Sequence, residues 1–203
     1  MTEFVNTKAE PAEKTTFAKI AVRGNVVRKI NTSKALILAI ASYNHEANKS
    51  DFPRFVAFEK LADFDKSCSL GERVTITGHI RTNKTHPEGT LVPDAIIPEK
   101  SRIDAAFAGE EFKPDMNELT IRGTMMADAY VPNENVTLAT LMVDHNDGWT
   151  SRIRVIAFGY TAKALAKKKK GDILEAIGYV RTKSIKEVKE ESHTQSFVIT
   201  SIR

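Results

Sequence analysis

The sequence predicts an all-β chain folded as two tandem five-stranded Greek-key barrels, each with a short helix between its third and fourth strands. Three observations lead there. Residues 54–58 read "RFVAF", and residues 154–158 read "RVIAF". Each half carries five β-rich runs in the same order. Between the third and fourth runs of each half lies a helix-like segment that stops at a glycine.

The repeat holds position by position. At an offset of 100 the identical pairs include Leu38/Leu138, Ala39/Ala139, His45/His145, Arg54/Arg154, Ala57/Ala157 and Phe58/Phe158. The series continues through Ala62/Ala162, Gly71/Gly171, Gly78/Gly178, Arg81/Arg181 and Thr82/Thr182. Nearer the start of each half the offset becomes 99, "IAVRG" (20–24) lying over "LTIRG" (119–123), so the second half has one extra residue in the loop that follows. An ordered series of this kind reads as a tandem duplication. It divides the chain into a polar tail at 1–16, a first domain at 17–97, a connector at 98–117 and a second domain at 118–203. The tail is expected to be disordered. "RIDAAFAGEEF" in the connector predicts a turn or two of helix.

The elements follow from alternation and β-branched content. Strands are expected over 19–28, 35–43, 53–59, 73–82 and 91–97, and again over 118–126, 135–143, 152–158, 172–182 and 196–202. The helices are expected in "EKLADFDKSCSLG" and "YTAKALAKKKKG". Five strands in about 80 residues, with a helix at that place, is the order of an OB-fold barrel. A small β-sandwich needs more strands and puts no helix there.

Composition narrows the function. Hydrophobic residues make up 41% and charged residues 28%, enough apolar material for packed cores. No apolar run approaches the ~18 residues of a membrane span, and the N-terminus lacks the apolar stretch of a signal peptide. Cys68 is the only cysteine, which excludes an intrachain disulfide or a cysteine-cluster metal site and fits a cytoplasmic protein. No phosphate-binding loop, dinucleotide fingerprint, nucleophile elbow or catalytic carboxylate pair occurs, so neither an enzyme nor a cofactor is expected. The net charge is +4 and the pI about 9.1. Residues 17–97 hold 12 basic and 8 acidic groups and residues 118–203 hold 13 and 10, whereas the connector has 3 and 5. Both domains are basic, which permits nucleic acid as a partner.

Strand periodicity assigns faces. In the third strand of the first half, Phe55 and Ala57 point inward, and Phe52, Arg54, Val56 and Phe58 point outward. In the second half Ile153, Val155 and Ala157 point inward, and Arg152, Arg154, Ile156 and Phe158 outward. The fourth strands add Arg73, Thr75, Thr77, His79 and Arg81 outside in one copy, and Tyr179 and Arg181 in the other. The first strands add Arg23 and Arg122. Guanidinium groups neutralise phosphates, and exposed rings stack on unpaired bases for about 1–3 kcal/mol each. Duplex DNA hides its base faces, so such a platform selects single strands. The competing reading of an outward Phe is a residue packed under a loop or at a subunit interface.

These residues resemble the bacterial single-stranded DNA-binding protein (SSB) family. "VRGNVV" is similar to its first strand and "LILAIAS" to its second. "PRFVAFEKLAD" and "IRVIAFGYTAK" are similar to its third strand and helix start, and "LGERVTITGHIRT" and "KKGDILEAIGYVRT" to its fourth strand. The resemblance spans both halves. It implies OB-folds that wrap single-stranded DNA (ssDNA) without sequence preference and without catalysis. It implies that Phe58 and Phe158 are stacking rings and that Arg54 and Arg154 are the basic residues before them. Phe52 lies where the family often has a stacking tryptophan; Arg152 replaces it in the second copy, with Trp149 three residues earlier as a substitute ring. The sequence ends in "SFVITSIR", inside the expected last strand, so no acidic tip for recruiting replication or repair enzymes is expected. Two folds per chain imply a homodimer, or a phage- or plasmid-borne variant that works with fewer folds.

The functional expectation is a non-specific ssDNA-binding protein that coats and protects single strands in replication, recombination or DNA transfer. An OB-fold protein-interaction or assembly module, or an RNA-binding protein, is the alternative. Lys167–Lys170 reads as a solvated helix end or a phosphate contact. His45 and His145, in equivalent loops without clustered ligands, read as loop contacts to phosphate or base rather than as metal ligands. His86 and His193 read as solvated, and Cys68 as a packing residue. "KEVKEES" (186–192) reads as a hairpin tip able to close over a strand.

Overall fold

The computed structural model describes residues 16–44, 48–58, 61–66, 68–182 and 195–203. It is mostly β. The first half runs β1 (Phe17–Asn31), β2 (Leu36–Asn44), β3 (Lys49–Asp51), β4 (Arg54–Ala57), α1 (Leu61–Lys66), β5 (Arg73–Arg81) and β6 (Thr90–Pro98). Helix α2 (Arg102–Phe107) lies in the connector. The second half runs β7 (Met116–Met125), β8 (Tyr130–Asn133), β9 (Val136–Asp144), β10 (Thr150–Phe158), α3 (Gly159–Leu165), β11 (Ile173–Thr182) and β12 (Gln195–Ile202). The expected tail and hairpin tip fall on 1–15 and 183–194, outside the described residues, as do His45 and His193.

Strand β1 is long enough to serve two partners. Lys19–Asn25 pairs with β5, and Asn25–Asn31 pairs with β2. A bulge between Val26 and Arg28 bends the strand between them. From β2 the pairing passes antiparallel to β4, then parallel to β6 at Phe55↔Leu91, then to β5 and back to β1. In the second half the circuit is β7–β9–β10–β12–β11–β7, with a parallel step over Val155–Ala157. Both circuits need strands to approach closely, and Gly178 shows why. A Cβ there would lie 1.8 Å from the Val198 carbonyl oxygen, beside the bulge at Ile177/Gly178.

The halves join through β1 and β7, antiparallel from Phe17↔Arg122 to Arg23↔Met116. The central pair Ile20↔Leu119 brings together positions that the internal repeat makes equivalent, so an approximate twofold axis passes between them. The core follows the alternation. Ile20, Val22, Leu38, Ile40, Phe55, Val74, Ile76 and Leu91 are buried in one half. Leu119, Ile121, Leu141, Ile153, Val155, Leu174, Val180 and Phe197 are buried in the other. Each large side chain contributes about 1.5–3 kcal/mol of transfer free energy.

Two short strands, β3 and β8, go beyond the sequence reading. Strand β8 contains Pro132, which lowers a strand reading; it sits at the sheet edge, where a missing N–H is tolerated. In the connector, Ser101 caps α2 by accepting a hydrogen bond from the Asp104 N–H at 3.1 Å.

Candidate nucleic-acid interface

Strand β10 alternates cleanly. Ser151, Ile153, Val155 and Ala157 are buried, while Arg152, Arg154 and Phe158 face solvent. Neither Arg152 nor Arg154 has an ion-pair partner among the described residues. With Thr140, Trp149 and Thr150 they line a groove of about 830 Å³ whose other wall is Thr82–Thr85 and Pro87 of the first half. Trp149 is 45% exposed and Phe158 39%. The Arg181 guanidinium lies 5.8 Å from the Phe158 ring centroid, and a recess beside that ring is lined by Ile156, Arg181 and Lys49.

The equivalent face of the first half is smaller. Arg54, Val56 and Phe58 line a recess of about 220 Å³ with His86, Glu88 and Gln195. Phe58 is 53% exposed. Arg54 is half-buried, its Nε is buried without a hydrogen-bond partner, and burial, then the nearby Arg28 charge, lowers its pKa. Glu88 adds a carboxylate to this recess. Phe52 lies against the second half, its N–H donating to Thr182 Oγ1 at 2.8 Å.

Between the faces runs a polar seam. The Arg152 N–H donates to Thr82 Oγ1 at 2.8 Å and the Thr82 N–H to Ser151 Oγ at 3.2 Å. The related positions repeat this: Phe52 to Thr182, and Thr182 to Asp51 Oδ1 at 2.9 Å. Arg81 pairs with Asp147, and its Nε donates to His79 Nε2 at 2.9 Å. His79 also meets Asp94 at 2.7 Å. His145, whose Nε2 is 2.9 Å from Ser151 Oγ, stacks at a tilt near His79, with ring centroids 5.6 Å apart. Burial, then the neighbouring His79 and Arg81, lower the His145 pKa.

Three arginines assigned to the outward face are engaged elsewhere. Arg73 is only 9% exposed because the connector covers it. It donates to Asp115 at 2.6 Å and to the Lys113 carbonyl at 2.8 Å, with the Phe112 ring centroid 4.7 Å away. Arg23 reaches Thr75 Oγ1, the Pro114 carbonyl and Glu99. Burial alone would raise the Glu99 carboxyl, but hydrogen bonds from Thr75 and Lys113 and the charges of Lys113 and Arg23 hold it below its usual range. Arg122 pairs with Glu175 at 3.1 Å. Tyr179 borders a separate cavity of about 560 Å³ with Tyr43, Asn117 and Arg203.

The structure thus brings Trp149, Arg152, Arg154, Phe158 and Arg181 to one surface, Arg54 and Phe58 to a second, and His79 and Arg81 to the seam. The sequence reading missed Lys49 and Lys84, which line the second-half surfaces from the first half. No local pattern marks them, since the contact joins segments far apart in the chain. Lys169 pairs with Asp128 at 3.1 Å, His86 is exposed beside Glu88, and Cys68 is buried with its thiol pushed up by burial. No group of three or more metal-ligating side chains occurs among the described residues. No described helix is long and apolar enough to cross a membrane.

No protein-family model and no curated protein sequence matches the chain. Among solved structures it is similar to wild-type single-stranded DNA binding protein from Thermus aquaticus, with a TM-score of 0.66 and 15% identity, covering 93% of each chain. A deletion mutant of that protein gives 0.64 at 15% identity, over 93% of this chain and 94% of the other. The likeness is one of fold.

Proposed function

We propose that this chain is a sequence-non-specific ssDNA-binding protein built from two tandem OB-fold barrels. It coats and protects single strands by stacking and phosphate neutralisation in replication, recombination or DNA transfer. The observation that carries the reading is the outward face of β10, where Arg152 and Arg154, without ion-pair partners among the described residues, lie between two exposed rings, Trp149 and Phe158. Cations at pleat spacing meet a phosphodiester backbone while flat rings take the unstacked bases. A duplex offers no base faces to those rings. Binding, not catalysis, is the role assigned, in the cytoplasm and as a homodimer.

Fluorescence-anisotropy titration of labelled oligo-dT, oligo-U and a duplex over a range of salt tests this directly. Preference for oligo-dT over the duplex, with affinity falling steeply as salt rises, is the expected result. Absence of binding at low salt would overturn the reading.

One observation favours a second role as a protein-interaction module: Ile103 and Phe107 of α2 are 68% and 88% exposed.

A further inference from the structure

The groove of the second half is not built by the second half alone. Its far wall is the loop after β5, contributed by the first half, and three contacts from Thr82 fix that loop in place. Thr82 Oγ1 accepts from the Arg152 N–H, its N–H donates to Ser151 Oγ, and its carbonyl accepts from Trp149 Nε1 at 3.1 Å. The loop is also ordered from within, since Asn83 Oδ1 accepts from the Thr85 N–H at 2.9 Å and the His86 N–H at 2.6 Å. At its far end Gly89 packs on Phe197 of the second half, where a Cβ would lie 2.8 Å from the ring. Gln195 Nε2 donates to the Gly89 carbonyl at 3.4 Å. A loop held at both ends by the opposite half has a fixed position over the groove.

What that wall adds is charge. Lys84 is exposed at its tip, has no ion-pair partner among the described residues, and faces a groove that already holds Arg152 and Arg154. We infer that the first half's 82–89 loop is a working wall of the second half's groove, with Lys84 supplying a phosphate contact to a single-stranded nucleic acid seated against Trp149. The inference rests on the nucleic-acid reading above. It makes the second half's groove a composite site, complete only while the halves are docked.

Trp149 is the chain's only tryptophan, so its fluorescence reports on this groove alone. The experiment titrates the full chain with short oligo-dT, following Trp149 quenching and anisotropy together at several salt concentrations. Wild type, Lys84→Ala, Lys84→Arg and Arg154→Ala are compared. Lys84→Ala is expected to weaken the quenching titration about fivefold at low salt and to flatten the log–log salt dependence by about 0.7, one phosphate contact. Lys84→Arg is expected to restore both. If Arg154→Ala weakens quenching but Lys84→Ala leaves affinity and salt slope unchanged, the composite wall is overturned and the nucleic-acid reading stands. If wild type shows neither quenching nor anisotropy change, that reading falls and this inference falls with it.

Discussion

The indole N–H of Trp149 donates to the backbone carbonyl of Thr82, 3.1 Å away and 67 residues earlier in the chain. The exposed ring that the second half presents at its groove is therefore oriented by the first half. Trp149→Phe keeps a flat ring and loses this bond. Its expected phenotype is weaker oligo-dT binding by anisotropy, with denaturation stability changed by no more than about 0.5–1.5 kcal/mol, the net value of one hydrogen bond.

Thr82 and Thr182 occupy related places in the seam, each accepting a backbone N–H of the opposite half at 2.8 Å. Valine keeps the shape and removes the acceptor. Thr82→Val and Thr182→Val are each expected to lower stability by about 1 kcal/mol, the cost of an unsatisfied, part-buried N–H. Urea denaturation reads this, and serine at either position should recover most of the loss.

The two faces should bind unequally. Phe58→Ala combined with Phe158→Ala removes the two exposed rings of the proposed platform, an expected loss of about 2–6 kcal/mol in oligo-dT binding at unchanged circular dichroism. Arg154→Ala is expected to cost more affinity than Arg54→Ala. Arg54 is half-buried, and Glu88 in its recess repels phosphate. Equal losses from the two arginine variants would remove the asymmetry.

His145 gives the fold a pH dependence. Burial, with His79 and Arg81, depresses its pKa in the folded state, so below the ordinary histidine value the unfolded chain binds more protons than the folded one. Its contribution is complete above about pH 6.5 and is lost below that value as pH falls through the depressed folded-state pKa. The depressed carboxylates of Glu99, Asp128 and Asp147 act in a lower window, below about pH 4. The urea midpoint should therefore rise from pH 5 to pH 7, and His145→Gln should flatten that rise.

Asp115 anchors the connector. It accepts from the largely buried Arg73 at 2.6 Å and from the Tyr43 N–H at 2.8 Å. Asp115→Asn leaves the guanidinium without its counter-charge, an expected loss of about 3 kcal/mol. Limited proteolysis should then cut within residues 98–117 faster than in wild type, while Trp149 quenching by oligo-dT is unchanged.

What could be read from the sequence was what is periodic. The alternation in "RVIAF" placed Val155 and Ala157 inside and Arg154 and Phe158 outside, and the structure has them so. The same rule placed Arg73 and Thr75 outside, yet both are buried. Period-2 alternation tells which side of the sheet a residue takes; it does not tell what a later segment lays over that side. Here Phe112–Asp115 covers it, and the acidic balance of the connector was the one available hint. The contacts of Thr82 with Ser151 and Trp149 escaped for a related reason. They depend on the register between β1 and β7, which no local pattern specifies.

That register also decides how the molecule responds to dilution. If the same strands met from two separate single-domain chains, the contact from Phe17↔Arg122 to Arg23↔Met116 would dissolve whenever the protein became scarcer than its dissociation constant. Residues 98–117 instead keep the partners at an effective concentration on the order of millimolar, however few molecules are present. A single copy, however dilute, keeps its seam closed.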